Sequence, residues 1–297
     1  VFEFITRLFK SRPSASQEVA TAPLSEEQLA SVSHLKKMYR PAQLHVGSAQ
    51  SAGKQRDHNE DALFTLNMVL SEGNNEIPFG IFVIADGMGG HQHGEVASGM
   101  AVRAISDHIL RKVFSPLFGV SKNGLPDSIQ EVMEASFDEA QRAVIEKAPG
   151  GGTTLTAALV AGEQITLAHV GDSRAYFLTP DGRMDLLTND HSLVHRLLEL
   201  GQITPEEAAV HPQRNVLYRA IGQAEPIHPD IYHHPLPNPG YLLICSDGLW
   251  GVVSDEDISG IVRGAGNVSE ACQRLVDAAN QAGGPDNISV ILVQYIS

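Results

Sequence analysis

Residues 80–95 read GIFVIADGMGGHQHGE, an apolar run that stops on Asp86 and is followed at once by glycines. A run this apolar reads as a buried strand, and a carboxylate at its tip is costly unless a cation meets it there. Beyond the glycines, Val96, Met100, Ile105, Ile109 and Val113 recur at helical spacing, which predicts a long helix over 94–114. The stretch thus predicts a strand, a charged tip and a helix, in that order.

A second long helix is expected over 127–147, capped by Asp127, with Ile129, Val132, Met133, Ala140 and Val144 along one face. Short β-rich runs fill most of the rest: DALFTL, TLTAALVA, ITLAHVGD, RAYFLT, YLLICSD and ISVILVQY, with turn pairs such as Ala161-Gly162 and Asp181-Gly182 between them. Strands joined so tightly are antiparallel. Shorter helices are signalled at 191–200, at 204–209 behind Thr204-Pro205, at 254–263 from Ser254 and at 269–281 from Ser269. Long helices grouped between blocks of hairpin strands predict an α+β layered domain with antiparallel sheets, not a βαβ alternation. That domain is expected to span residues 44–297. Residues 1–43 are expected to form an N-terminal appendage: the apolar opening VFEFITRLFK, a Ser/Ala/Pro-rich linker, and a short helix capped by Ser25 with Gln28 and ended by Pro41.

Lys and Arg total 21 against 35 Asp and Glu, a formal net charge of -14. A nucleic-acid partner is not expected from that balance, because releasing counterions from phosphates takes basic side chains. No apolar segment approaches the ~20 residues that cross a bilayer, so no stable membrane insertion is expected. Cys245 and Cys272 show neither a pairing pattern nor Cys-x-x-Cys spacing and fit a reduced, cytoplasmic setting.

The Asp86 ending has counterparts. LLICSDGLWG ends its apolar run on Asp247, ITLAHVGDS delivers Asp172, GGPDNISVILV places Asp286 just before a strand, and RDHNEDALFTL sets Glu60 and Asp61 at a strand's start. A single Asp-Gly step after a strand is ordinarily a turn, but that reading does not cover so many acidic strand termini in one domain. Glycine after the acid lets the chain turn sharply and present its own carbonyl beside the carboxylate. Carboxylates and carbonyls without a Cys or His cluster suit Mg2+ or Mn2+. If one carboxylate bridges two such ions ~3.5–4 Å apart, a shared water becomes a nucleophile near neutral pH, which is equipment for phosphoester hydrolysis.

Other residues carry two readings each. Arg56 is either a surface arginine or a bidentate clamp on phosphate oxygens. His91 and His93 are metal ligands or, more ordinarily, solvent-facing loop residues. The GGTT at 151–154 lacks the Lys of a P-loop and precedes a strand, so it is read as structural.

In this order, RDHNEDALF, VIADGMGGHQHGEVAS, GGTTLTAALV, AHVGDSRAYFL, LTNDHSLV, HPQRNVLYRAIG, LLICSDGLWGVVSDEDI and GGPDNISVILV resemble the metal-dependent protein serine/threonine phosphatases of type 2C. The resemblance covers nearly the whole of 44–297 and implies a four-layer αββα sandwich, two antiparallel sheets flanked by helix pairs. Carried over by motif position, it implies that Asp86 bridges two metal ions, with Glu60 and the Gly87 carbonyl completing one and Asp247 and Asp286 the other. Asp172 with Asp247 resembles the weaker third-metal site of bacterial members. Asp61 is implied to orient the water, and Arg56 to hold the substrate phosphate. Residues 190–222 match the flap that borders the active site and contributes to substrate choice. Met88 stands where many eukaryotic members carry a His assigned as general acid. The spacing DGMGG is that of the bacterial branch and leaves leaving-group protonation to a metal-bound water or another residue, with His91 and His191 as candidates.

The expected activity is hydrolysis of phosphoserine and phosphothreonine on proteins, by in-line attack of water activated at a binuclear Mg2+/Mn2+ centre and without a phosphoenzyme. Expected partners are phosphorylated proteins and, from the bacterial resemblance, a Ser/Thr kinase and its substrates. Two readings compete: a catalytically silent phosphoprotein-binding module of the same fold, and a metal-dependent hydrolase of small phosphoesters. Intact carboxylates at every metal position argue against the first, and the flap-like segment against the second.

Overall fold

The computed structural model describes residues 42–72, 75–89, 92–118, 128–223 and 226–296. The expected appendage lies outside the described residues except for Ala42 and Gln43, and so does His91. Strands β1 (Gln43–Ser51), β2 (Asp61–Glu72) and β3 (Asn75–Met88) lead into α1 (Gln92–Ile109), which runs on through a π-helical turn at Leu110–Phe114 and a last turn at Ser115–Phe118. Next come α2 (Ile129–Lys147), β4 (Gly152–Thr153), β5 (Leu155–Ala161), β6 (Gln164–Val170), β7 (Arg174–Leu178) and β8 (Met184–Leu186). The chain ends with α3 (Leu193–Glu199), α4 (Pro205–Ala209), β9 (Asp230–Pro235), β10 (Tyr241–Cys245), α5 (Asp247–Trp250), α6 (Asp255–Gly264), α7 (Val268–Gln281) and β11 (Ile288–Ile296).

Two sheets form, in the orders β1-β11-β10-β7-β8 and β2-β3-β5-β6-β9, with β4 paired to the end of β3. Neighbouring strands are antiparallel, as the tight turns predict. The reason the Gly80–Asp86 run does not alternate is that both of its faces are buried. Phe79, Ile81, Val83 and Ala85 pack on Ala101, Ile105, Met133 and Phe137 of α1 and α2. Phe82 and Ile84 point the other way, onto Leu242, Ile244, Ile291 and Val293 of the opposite sheet. In that sheet Leu243, Cys245, Val290 and Leu292 face Ile258, Val262, Leu275 and Val276 of α6 and α7. The layers are therefore α1/α2, sheet, sheet, α6/α7, the αββα sandwich. Each of the larger side chains (Val, Leu, Ile, Phe, Met) contributes roughly 1.5–3 kcal/mol on burial, and shifting β3 by one residue exchanges its two faces and breaks both interfaces at once.

Several boundaries differ from expectation. Ser128 caps α2 in a capping box with Glu131, while Asp127 lies outside the described residues. Asn267, not Ser269, caps α7, its side chain accepting the Glu270 N–H. Val96, expected on the buried face of α1, is 42% exposed. Strands β1, β8 and β9 had no clear signal. β8 and β9 are sheet-edge strands whose residues are half-buried or exposed, so neither apolar density nor period 2 marks them. Among the described residues, no helix is long and apolar enough to cross a membrane.

Candidate active site

Side-chain parity along β3 places the site. Phe82 and Ile84 face the space between the sheets, and Asp86, two residues on, faces the same space where the sandwich opens. The β2–β3 register sets Asp61 opposite Asp86, and directly opposed residues share a face. The Gly87 N–H donates to the Glu60 carbonyl at 3.2 Å, so two distant motifs are joined by strand pairing alone. From the other sheet, Ser246 at the end of β10 and Ser289 in β11 donate their hydroxyls to Asp61 Oδ2 at 2.8 and 2.7 Å. Asp247 opens the single-turn α5, and Asp286 stands just ahead of β11.

The glycines after the acids act differently from expectation. β3 runs straight through Gly87 to Met88, and neither Gly87 nor Gly248 has a positive φ. What forbids a side chain is close approach: a Cβ on Gly87 would collide with the Gly94 and Glu60 carbonyls, and one on Gly248 with the Asn287 carbonyl.

The GGTT segment, read as structural, fixes the backbone of Asp86. The Thr153 hydroxyl and the Thr154 N–H donate to the Asp86 carbonyl at 2.8 and 2.9 Å, and the Asp86 N–H donates to Thr154 Oγ1 at 2.9 Å. Asn287 does the same for Glu60, whose N–H donates to Asn287 Oδ1 at 2.8 Å while Asn287 Nδ2 donates to the carbonyls of Ala52 and His58. These supports, with Ser246 and Ser289, were missed as functional. Their signal was adjacency to the acidic motifs.

A cavity of about 460 Å³ results, lined by Arg56, Glu60, Asp86, Gly87, Asp172, Asp247 and Asp286 among others. Asp61 lies just behind it. Burial, and then the neighbouring carboxylates, hold Asp86 and Asp172 well above the ordinary carboxylate range. Burial pushes Asp61 up to about 7 and Asp247 up to about 6. Asp61 Oδ1 and Asp247 Oδ1 are buried without a hydrogen-bond partner. Mutually repelling acids with orphaned oxygens fit divalent cations, whose charge would favour the ionised carboxylates that burial and repulsion oppose. Among the described residues no three such side chains close around a common point; the acids ring the cavity instead. Arg56 Nη2 lies 2.6 Å from Asp286 Oδ2 with its side chain 51% exposed at the rim.

His191 is not placed for leaving-group protonation. It is 2% exposed and absent from the cavity wall, its Nδ1 accepts the Gly171 N–H at 3.1 Å, and its Nε2 faces Asp230 Oδ2 at 3.1 Å. His93 is exposed on the first turn of α1, whereas His58, not singled out from sequence, lines the cavity. Both cysteines are buried, and burial pushes the Cys272 thiol up to about 12 and Cys245 beyond it, which leaves no thiolate nucleophile. The flap-like segment is pinned at its base by Leu193 N–H to the Val216 carbonyl (2.8 Å) and Tyr218 N–H to the His191 carbonyl (2.9 Å), and it sends Asn215 and Leu217 into the cavity wall.

Comparison with known proteins shows the family of the chain. The sequence profile of the protein phosphatase 2C family matches residues 46–288. The chain is 39% identical over 251 residues to the serine/threonine phosphatase stp of Listeria innocua, covering 84% of this chain and 96% of that one. It is 36% identical over 253 residues to the protein phosphatase PhpP of Streptococcus pneumoniae, covering 84% and 97%. Among solved structures, the S. agalactiae serine/threonine phosphatase superposes with a TM-score of 0.71 at 34% identity, over 84% of this chain and 99% of that one. The catalytic domain of the serine/threonine protein phosphatase PstP, in complex with two manganese ions, gives 0.67 at 31% identity, over 86% and 99%.

Proposed function

The chain belongs to the protein phosphatase 2C family, and from that premise we propose that it hydrolyses phosphoserine and phosphothreonine on proteins at the acid-lined cavity with two divalent cations. The observation that carries the proposal is the cross-strand pair Asp61 and Asp86 at the same mouth of the sandwich as Asp247 and Asp286, with buried carboxylate oxygens left orphaned. Asp86, Glu60 and the Gly87 carbonyl would hold one Mg2+ or Mn2+; Asp86, Asp247 and Asp286 would hold the second. Asp172 with Asp247 offers a weaker third position. The relative solved with two manganese ions supports divalent metal at this kind of site. When bound, such ions supply a water nucleophile of lowered pKa and offset charge on the phosphoryl oxygens.

The chain's own residues supply position. Asp61 has one oxygen occupied by Ser246 and Ser289 and the other buried without a partner, so the latter is the one that would orient the attacking water. Arg56, half exposed at the rim and paired through one nitrogen, has further N–H groups for the phosphate. Met88 lines the cavity beside Gly87 and has no proton to give; a bound water or another residue would protonate the serine or threonine oxygen. The flap residues Asn215 and Leu217 face the substrate around the phosphorylated residue, which favours a protein substrate over a small phosphoester. A serine/threonine kinase is the expected source of such substrates.

The test is phosphate release from a phosphothreonine peptide, a nucleotide and a phosphodiester, each with Mn2+ and with chelator. Turnover of the peptide alone, lost in chelator and in Asp86→Ala and Asp247→Ala, is the expected result. Full activity in either variant, or preference for the nucleotide, overturns the assignment.

A further inference from the structure

We propose that Trp250, clamped by Arg174, is a positioning residue that holds the Asp172 loop against the Asp247 turn and so sets the affinity of the outer, third cation position. The inference rests on the reading of Asp172 and Asp247 as cation ligands given above.

The two acids come from different parts of the chain and repel each other. Asp172 lies in the loop that carries the chain from β6 of the six-stranded sheet to β7 of the other, and Asp247 opens α5 beyond β10, the neighbour of β7. Trp250 closes that same turn, and its indole N–H donates to the Asp172 carbonyl at 3.1 Å. The guanidinium carbon of Arg174 lies 3.5 Å from the centroid of the Trp250 ring, an arrangement in which the cation is attracted to the ring face. Arg174 is held in that pose by a fork onto Asp190, Nε to Oδ1 at 3.0 Å and Nη2 to Oδ2 at 2.7 Å, and by Nη1 to the Tyr176 hydroxyl at 3.2 Å.

The circuit closes on the other side of Asp172. His191, next to Asp190, holds both backbone groups of Gly171: its ring nitrogen accepts the Gly171 N–H, and its own N–H donates to the Gly171 carbonyl at 2.7 Å. Gly171 has φ +113, and a Cβ there would press into Thr154, so the loop has one way to sit. The Gly171 carbonyl also faces His169 Nε2 at 3.0 Å, and two residues beyond Asp172 the β7–β10 ladder pairs Arg174 with Cys245. The Trp250 indole is the side chain that bonds the Asp172 backbone itself and belongs to the turn that bears Asp247. Hydrogen bonds of this outer kind commonly change metal affinity 10–100-fold when removed.

Trp250 is also the only tryptophan in the chain, so tryptophan emission reports on the surroundings of this one ring. Titration of the full chain with Mg2+, which is diamagnetic, is expected to change that emission along the weaker binding phase, and the change is expected to vanish in Asp172→Asn. Counting bound Mn2+ by electron paramagnetic resonance is expected to show tight ions unchanged and the weaker ion at least about tenfold weaker in Trp250→Phe. Arg174→Lys, which keeps the charge but loses the fork and the stack, is expected to act in the same direction and serves if Trp250→Phe does not fold. Tight and weak phases both unchanged in the folded variants, emission indifferent to Mg2+, or a wild-type chain with no weaker phase overturns this inference and leaves the two-cation site standing. A wild-type chain that binds no Mn2+ overturns both.

Discussion

Asp61 is almost fully buried, yet it accepts two hydroxyl hydrogen bonds on one oxygen and none on the other. That asymmetry gives a test with two readouts of opposite sign. Asp61→Asn keeps the shape but removes the charge. Turnover of a phosphopeptide is expected to fall about 10²-fold or more. The thermal midpoint measured in chelator at pH 8 is expected to rise, because a carboxylate whose burial opposes its ionisation is gone. Wild-type turnover in this variant removes Asp61 from the mechanism. The acids themselves were legible in sequence because each follows or precedes an apolar run. Ser246 and Ser289 were not, since each meets Asp61 across 185 and 228 residues of chain and only the pairing of the strands decides which hydroxyl arrives. His191, one of two candidate proton donors, is settled the same way: which way a ring faces is decided by the fold, and this one faces the Gly171 backbone.

At the scale of elements, the strands buried on both faces were readable as continuous apolar runs, and the helices through their caps and one-sided periodicity. The edge strands β8 and β9 and the π-helical turn after α1 carry no such mark. The flap-like segment is the element with the most to test. Its base is fastened by backbone hydrogen bonds, while Leu217 and Asn215 project into the cavity wall and Tyr218 and Val216 stay exposed. Leu217→Ala is expected to raise KM for a phosphothreonine peptide by roughly tenfold, about the worth of a lost apolar contact. The kcat/KM for para-nitrophenyl phosphate, too small to reach the flap, is expected to stay as it was. Equal effects on both substrates would place Leu217 in folding instead of substrate choice.

For the whole molecule, the concentration of buried acid couples stability to pH and to metal. Asp61 and Asp247 rise from an ordinary 3.8 to about 7 and about 6. At these two acids the folded chain therefore binds more protons than the unfolded one between pH ~4 and ~7, and their contribution to stability falls as pH rises through that window. His169, which burial lowers to about 4, contributes the opposite slope, since its unfolded form takes up the proton first as pH falls. Divalent cations bind the ionised acids and cancel only the carboxylate part. The midpoint gained on adding excess Mg2+ is therefore expected to grow from pH 5 to pH 7.5, as read by paired thermal melts with chelator and with metal. A gain independent of pH would mean that the acids do not titrate against the cation.

The sequence by itself determined the two-sided burial of the central strands, the layered α+β class and the placing of an acid at each strand end, because these depend on the identity of residues and their neighbours along the chain. Only the tertiary structure decided which acids share a cavity, that Asp61 Oδ1 and Asp247 Oδ1 are left bare, why Gly87 and Gly248 must lack a side chain, and that Trp250 ties the Asp172 loop to the Asp247 turn. Those outcomes depend on the register and facing of two sheets, and contacts between sheets are set by shape and burial in three dimensions, which no local stretch of sequence encodes.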